Sequence, residues 1–252
     1  MKVLFVGAGP GDPELLTLKA SRLLHTCQCC VYAGSLVSPE VVALVPAGSE
    51  KYDSAGMTLE ETTDVCRRAR DRGIDVIRLH TGDPSIYGAI REQMIELDKL
   101  GIAYEVVPGV SSFQAAAAAL KTELTAPEVS QAIVLTRTAG RTPLPPGQEL
   151  DRMAQTRATL CIFLSVHNMV DVARTLAVHY GADCPIAVVH RASWPDQQIV
   201  EGTLADIATK VAAAGIGKTA MIIVGRALER HGAVSRLYNS AFSHGYRKAT
   251  EK

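Results

Sequence analysis

The chain has 252 residues, enough for one large or two ordinary domains, and 47% of them are hydrophobic, which supports a well-buried core. Its 26 basic and 26 acidic residues balance, so charge gives no case for a nucleic-acid partner or an anionic membrane surface. No apolar run approaches the ~20 residues of a membrane-spanning helix. The first six residues read directly as a strand, so no secretory leader is expected and the expected compartment is the cytoplasm.

Lys2-Val-Leu-Phe-Val-Gly7 is an apolar run of strand length. Gly9, Pro10 and Gly11 form a turn, Asp12 and Pro13 supply a cap and first-position pair, and a helix is expected through Leu15, Leu16, Leu18, Leu23 and Leu24. A second strand is expected at 29–33 and a short helix at 39–44, with Ser38 as its cap. Residues 50–53 read as a third strand and 57–72 as a polar-faced helix capped at Thr58 and closed at Gly73. The run from Asp75 to Gly88 reads as a strand, a tight turn at Gly82, and a helix capped by Asp83 with Pro84 at its first position, continuing through Ile86, Ile90, Met94, Ile95 and Leu97. A strand at 103–107 then leads through Pro108-Gly-Val-Ser-Ser112 into an alanine-rich helix at 113–120.

Residues 121–131 lack strong periodicity and read as a linker. Beyond it, strands are expected at 132–136, 160–164, 186–189, 198–201 and 219–224. A long polar loop spans 137–147, a helix capped by Asn168 ends near Gly181, and a helix capped by Thr203 follows. The fold class expected is α/β, with a mostly parallel sheet in a first domain (1–120), a mixed sheet in a second (132–230), an active-site cleft between them, and a polar tail at 231–252.

Three glycine turns at the carboxyl ends of three strands suggest one crevice, because parallel α/β sheets bind ligands there. A dinucleotide reading fails on spacing. Gly7, Gly9 and Gly11 give G-x-G-x-G, Asp12 stands where the third glycine belongs, Pro10 lacks an amide, and Ala33-Gly34-Ser35 offers no acid for a ribose. Cys27, Cys29 and Cys30 cluster, but no second Cys/His pair stands at zinc spacing, so they are read as small hydrophobes opening a buried strand. His25, His167 and His190 have no spacing partner, so no protein metal site is expected, and His80 is read as structural rather than as a base.

Val6-Gly-Ala-Gly-Pro-Gly-Asp-Pro13, Thr81-Gly-Asp-Pro-Ser-Ile-Tyr-Gly88, Val107-Pro-Gly-Val-Ser-Ser112 and Ala220-Met-Ile-Ile-Val-Gly225, in that order, closely resemble the tetrapyrrole (corrin and porphyrin) methylase family over residues 1 to about 230. Within it, Tyr32-Ala-Gly-Ser-Leu-Val-Ser-Pro39, Asp53-Ser-Ala-Gly-Met-Thr-Leu-Glu-Glu61 and Leu135-Thr-Arg-Thr-Ala-Gly-Arg-Thr-Pro143 are similar to the branch that methylates C11 of precorrin-4 or its cobalt form in cobalamin (vitamin B12) biosynthesis. The resemblance implies a two-domain homodimer that takes S-adenosylmethionine as methyl donor and releases S-adenosylhomocysteine. By matched positions it places Pro10, Thr81, Gly82, Asp83, Ile86, Ser111, Ser112, Leu164 and Ala192 around the donor, with Tyr87, Thr219 and Ala220 added. It places Gly9, Gly11 and Asp12 nearer the tetrapyrrole. Arg137 and Arg141 on the long loop are candidates for its peripheral carboxylates.

No catalytic acid or base is identified. Uroporphyrinogen-III methyltransferases carry an aspartate just after the second-strand tyrosine, whereas Ala33-Gly34 follows Tyr32 here, which argues against that substrate. The rival readings are another precorrin methylase, a nucleotide-binding oxidoreductase and a tetrapyrrole carrier.

Overall fold

The structure, a computed structural model, describes residues 1–140, 142–229 and 240–249. The chain divides into two compact units, Met1–Ala119 with Val189–Gln198, and Leu120–Val188 with Ile199–Lys252. Among the described residues no helix is long and apolar enough to cross a membrane.

The first unit carries a five-stranded sheet of β1 (Lys2–Gly7), β2 (Cys29–Tyr32), β3 (Glu50–Asp53), β4 (Val76–His80) and β5 (Ala103–Val107), in the order β3-β2-β4-β1-β5. Every pairing in it is parallel. Alternate residues of each strand go to opposite faces. Leu4, Val6, Cys30, Ile77 and Leu79 pack with Ala20 and Leu24 of α1 (Leu18–His25) and Val41 of α2 (Pro39–Val42). Val3, Phe5, Cys29, Val31 and Val76 pack on the other face with Val65, Cys66 and Ala69 of α3 (Leu59–Asp71) and Leu97 of α4 (Ile90–Lys99). Each Val, Leu, Ile or Phe side chain among these contributes about 1.5–3 kcal/mol on burial. Cys29 and Cys30 therefore serve opposite cores as free thiols, and burial pushes Cys29 up to about 12.

The helices begin where side chains can cap them, and this corrects several sequence expectations. Asp12 caps only a single 3-10 turn, Pro13–Leu15, by accepting from the Glu14 amide at 2.8 Å. The chain re-extends at Leu16, Thr17 caps α1, and Leu18 lies 90% exposed rather than on an apolar face. Thr58 and Glu61 form a reciprocal capping box at α3, and the Gly73 left-handed turn closes it. No helix starts at Pro84: residues 84–87 form a turn, Tyr87 and Ala89 take left-handed φ of 54° and 50°, and α4 begins only at Ile90. Gly88 follows that turn at close range, since a Cβ there would lie 2.2 Å from the Pro84 carbonyl oxygen.

The second unit carries β6 (Ile133–Arg137), β7 (Thr159–Phe163), β8 (Pro185–His190), β9 (Gln198–Thr203) and β10 (Ala220–Val224), in the order β6-β7-β10-β8-β9. β6 and β7 are parallel and β7 and β10 antiparallel, so the sheet is mixed. Leu160, Ile162, Ile186, Val188, Ile222 and Val224 form a core with α6 (Leu150–Ala154), α7 (Met169–Tyr180) and α8 (Ile207–Ala213). The alanine-rich α5 (Ser112–Leu120) precedes this unit. Asn168 does stand at the start of α7, without a side-chain cap bond. Thr203 is the last residue of β9 rather than a cap. Asp206 stands at the start of α8 and accepts from the Thr203 amide at 2.9 Å. The expected tail at 231–252 lies largely outside the described residues.

His80 closes β4 with 5% exposure, its ring 5.8 Å from that of Phe5, and its Nε2 has no hydrogen-bond partner among the described residues. Burial, and then the neighbouring Arg78 charge, pulls its pKa down to about 3. That lies below an unfolded value of ~6.5, so the unfolded chain takes the proton first. Stability from neutral His80 is complete above ~6.5 and erodes as pH falls toward 3. Unfolding free energy measured by denaturant between pH 6.5 and 4 should fall more steeply in the wild type than in His80→Gln, by up to about 1.4 kcal/mol per pH unit; equal slopes would contradict a buried neutral imidazole. A second prediction concerns Gly109, where a Cβ would lie 2.2 Å from the Gly82 carbonyl oxygen. Gly109→Ala should lose about 1–3 kcal/mol in the same assay, while Gly48→Ala, with open space around it, should stay within about 0.5 kcal/mol of wild type.

Candidate active site

In the first unit the turns after β1, β4 and β5 interlock through backbone. Gly9 and Gly82 exchange two amide hydrogen bonds, Gly82 N to Gly9 O at 2.8 Å and Gly9 N to Gly82 O at 3.3 Å, and the Ala8 amide donates to the His80 carbonyl at 2.7 Å. A Cβ on Gly7 would lie 2.6 Å from both Gly109 Cα and the Gly82 carbonyl oxygen, so the three strand ends approach as only glycine allows. Gly82 itself adopts φ +61°.

Asp83 ties this cluster together. Its Oδ2 accepts from the Gly109 amide at 2.9 Å, and its Oδ1 accepts from the Ser85 amide at 2.8 Å and from the Ser85 hydroxyl. Partial burial opposes ionisation, but these three donors outweigh it and hold the carboxyl below its ordinary value. Ser111, only 3% exposed, precedes α5, with its amide bonded to Gln114 Oε1 at 3.0 Å. Thr81, Ile86 and Ser112 are half-buried and Tyr87 is 46% exposed. The result is a seat of fixed backbone, three hydroxyls and one aliphatic side chain, suited to a small ligand with both polar and apolar parts.

The segment 189–198, which belongs to this unit, packs on the first turn. Buried Ala192 precedes Ser193 and Trp194. Ser193 Oγ accepts from the Asp12 amide at 3.1 Å, and Trp194 Nε1 donates to the Pro10 carbonyl at 2.8 Å. The structure thus brings Gly9, Pro10, Gly11, Asp12, Thr81, Gly82, Asp83, Ile86, Tyr87, Ser111, Ser112 and Ala192 onto one unit, at the carboxyl ends of its parallel strands or on the loop that covers one of them.

The other residues expected from the sequence lie in the second unit. Leu164 follows β7 with φ 54° and 61% exposure, and Thr219 precedes β10 with φ 54°. Ala220 opens β10, which pairs with β7 from Ile222 opposite Ile162 to Val224 opposite Leu160. Arg137 ends β6 beside Phe163, and its guanidinium donates to the carbonyls of Thr138, Thr142 and Pro143 at 2.9–3.1 Å. Arg137 therefore organises its own loop. Arg141 lies outside the described residues. Tyr87, Arg191 and Ser193 of the first unit hold left-handed φ of 54°, 46° and 70°.

Two features escaped sequence reading. Asp53 pairs in register with Tyr32, accepts from the Gly34 amide at 3.0 Å, and occupies the space a Gly34 Cβ would fill. A carboxylate thus does reach the tip of β2, delivered from β3. The Ser193–Trp194 contact links residues over 180 positions apart, and the lone tryptophan was the only available signal. Among the described residues no group of three or more His, Cys, Asp or Glu side chains converges to hold a metal.

Comparison with known proteins places this geometry. Residues 2–208 match the family model of the tetrapyrrole (corrin/porphyrin) methylases. The chain is 50% identical to a cobalt-precorrin-4 C(11)-methyltransferase of Methanocaldococcus jannaschii, across 100% of this chain and 98% of that protein. It is also 50% identical to a precorrin-4 C(11)-methyltransferase of Pseudomonas aeruginosa, across 98% and 99%. Among solved structures, a cobalt precorrin-4 methyltransferase superposes with TM-score 0.88 at 42% identity, over 90% of this chain and 96% of that one. A uroporphyrin-III C-methyltransferase from Thermus thermophilus, complexed with S-adenosylhomocysteine, gives 0.77 at 31% identity, over 92% and 100%. These matches establish that the chain belongs to the tetrapyrrole methylase family.

Proposed function

We propose that the chain transfers the methyl group of S-adenosylmethionine to C11 of precorrin-4 or of its cobalt form, in cobalamin biosynthesis. The observation that carries this reading is 50% identity over essentially the whole chain to two proteins bearing those two names. The equal identities give no preference for the metal-containing substrate. Any cobalt would arrive within the macrocycle.

When bound, the donor supplies an electrophilic methyl on a sulfonium, so the C–CH3 bond forms from the ring-carbon electron pair as the C–S pair passes to sulfur. The protein's task is then alignment and exclusion of water rather than activation of a nucleophile. The first unit suits that task. Gly82 and the Asp83-fixed turn present backbone polar groups to the amino-acid end of the donor. Thr81, Ser111 and Ser112 add hydroxyls, Ile86 lines the adenosine or methionine chain, and small Ala192 leaves room. Asp83 itself is held by its own turn, so its contribution is to fix the seat. Gly9, Gly11 and Asp12 face the macrocycle in this reading, whereas Arg137 serves to hold its own loop. A neutral buried His80 adds no positive charge against the sulfonium. The assembly is read as a cytoplasmic homodimer, on family grounds.

The nucleotide-binding oxidoreductase is the weaker reading. Although Asp53 reaches the tip of β2, its Oδ1 is engaged by the Gly34 and Ala55 amides, and Pro10 and Asp12 still break the phosphate-binding turn. Anaerobic incubation with methyl-13C donor and precorrin-4, followed by NMR of the product, should place the label on C11. Label on another carbon, or none, would overturn the assignment. Calorimetric titration with S-adenosylhomocysteine should show at least roughly tenfold weaker binding for Asp83→Ala, a loss of about 1.4 kcal/mol for one charge-assisted tie, and a smaller loss for Asp83→Asn. Undiminished affinity in Asp83→Ala would remove this seat.

A further inference from the structure

The turn after β1 is held from outside by two consecutive residues of the 189–198 segment. Ser193 Oγ takes the Asp12 amide, and Trp194 Nε1 grips the Pro10 carbonyl. Between these two, the indole fills the space at Gly11, where a Cβ would lie 2.1 Å from the ring's Cδ1. Three successive residues, 10, 11 and 12, are thus each engaged. The segment is braced for this role. Ser193 N donates to Gln197 Oε1 at 2.8 Å, Gln197 N donates to the Trp194 carbonyl at 3.1 Å, and Trp194 N donates to the Arg191 carbonyl at 2.9 Å. The Arg191 guanidinium lies 5.0 Å from the indole centroid and pairs with Asp196. Arg191 and Ser193 both hold left-handed φ, at 46° and 70°. Such strain persists only where surrounding contacts over-determine it.

We propose that Ser193 and Trp194 are positioning residues that clamp the Gly9–Asp12 turn in the form that accepts the carboxylate-rich tetrapyrrole. We further infer that the clamp couples this turn to the donor seat through the adjoining Ala192. The inference rests on the methyl-transfer reading and extends it. Donor binding against Ala192 restrains the same short segment that fixes residues 10–12, so the first ligand reduces the ordering cost of the second.

Trp194 is the chain's single tryptophan, so tryptophan fluorescence reports on the surroundings of this indole. Titrating wild-type protein with S-adenosylhomocysteine should shift Trp194 emission and lower its quenching by acrylamide. Trp194→Phe keeps a ring at Gly11 but loses the bond to Pro10. Its KM for anaerobically generated precorrin-4 should rise roughly three- to tenfold, with kcat and the S-adenosylhomocysteine Kd each within about threefold of wild type. Ser193→Ala, which removes only one acceptor, should raise the same KM while leaving the fluorescent reporter in place. Unchanged KM in both variants, or KM and donor Kd worsening in parallel as general loosening requires, would overturn the clamp. Emission and quenching indifferent to the donor would overturn the coupling. If wild-type protein bound no S-adenosylhomocysteine, the methyl-transfer reading would fall and the clamp with it. Donor binding with normal variant KM values overturns the clamp alone.

Discussion

The first unit depends on one close backbone approach. Gly7, Gly82 and Gly109 stand at the ends of three parallel strands, so near one another that any Cβ on Gly7 or Gly109 would penetrate a neighbouring backbone atom. Parallel pairing of β1 with β4 and β5 brings these ends level, and the Gly9–Gly82 exchange with the Asp83–Gly109 bond locks them. Two packed faces of aliphatic side chains hold the strands in that register, because a one-residue slip would turn each core face to the other side.

A seat made this way is preorganised. Its shape comes from main chain and from a carboxylate whose three donors keep it ionised, so little reorganisation remains when a ligand arrives. This suits chemistry in which the donor carries its own leaving group and the protein contributes geometry. It also explains why no side chain in the seat has the appearance of a strong nucleophile. His80, which ends the strand leading into the turn, is buried and neutral, and the thiols of Cys29 and Cys66 are pushed up to about 12 and about 11 by burial.

Much of this was legible in the sequence. The three glycine turns, the strands before them, the Ser38 and Thr58 caps, and the family resemblance all rest on local patterns, and local chemistry decides them. Other features failed because tertiary contacts overrode local signals. Asp83 followed by Pro84 reads as a helix start, yet the carboxylate's second oxygen is drawn to Gly109, 26 residues away, and the chain turns through left-handed Tyr87 and Ala89 before α4 begins. Leu18 fits a helical stripe but faces solvent, because Thr17 rather than Asp12 sets the start of α1. Arg137 reads as a free cation, whereas three carbonyls of its own loop hold it. Asp53 and Trp194 act across strand pairings or long separations that no periodicity encodes.

The central claim is that the glycine-locked strand ends, with the Asp83 turn, form the seat of the methyl donor. A crystal structure of the protein grown with S-adenosylhomocysteine tests it most directly. The account predicts the ligand's amino-acid end against residues 81–83, with Ile86, Ser111 and Ser112 along its flank. Density for the ligand away from the 81–86 segment would contradict it.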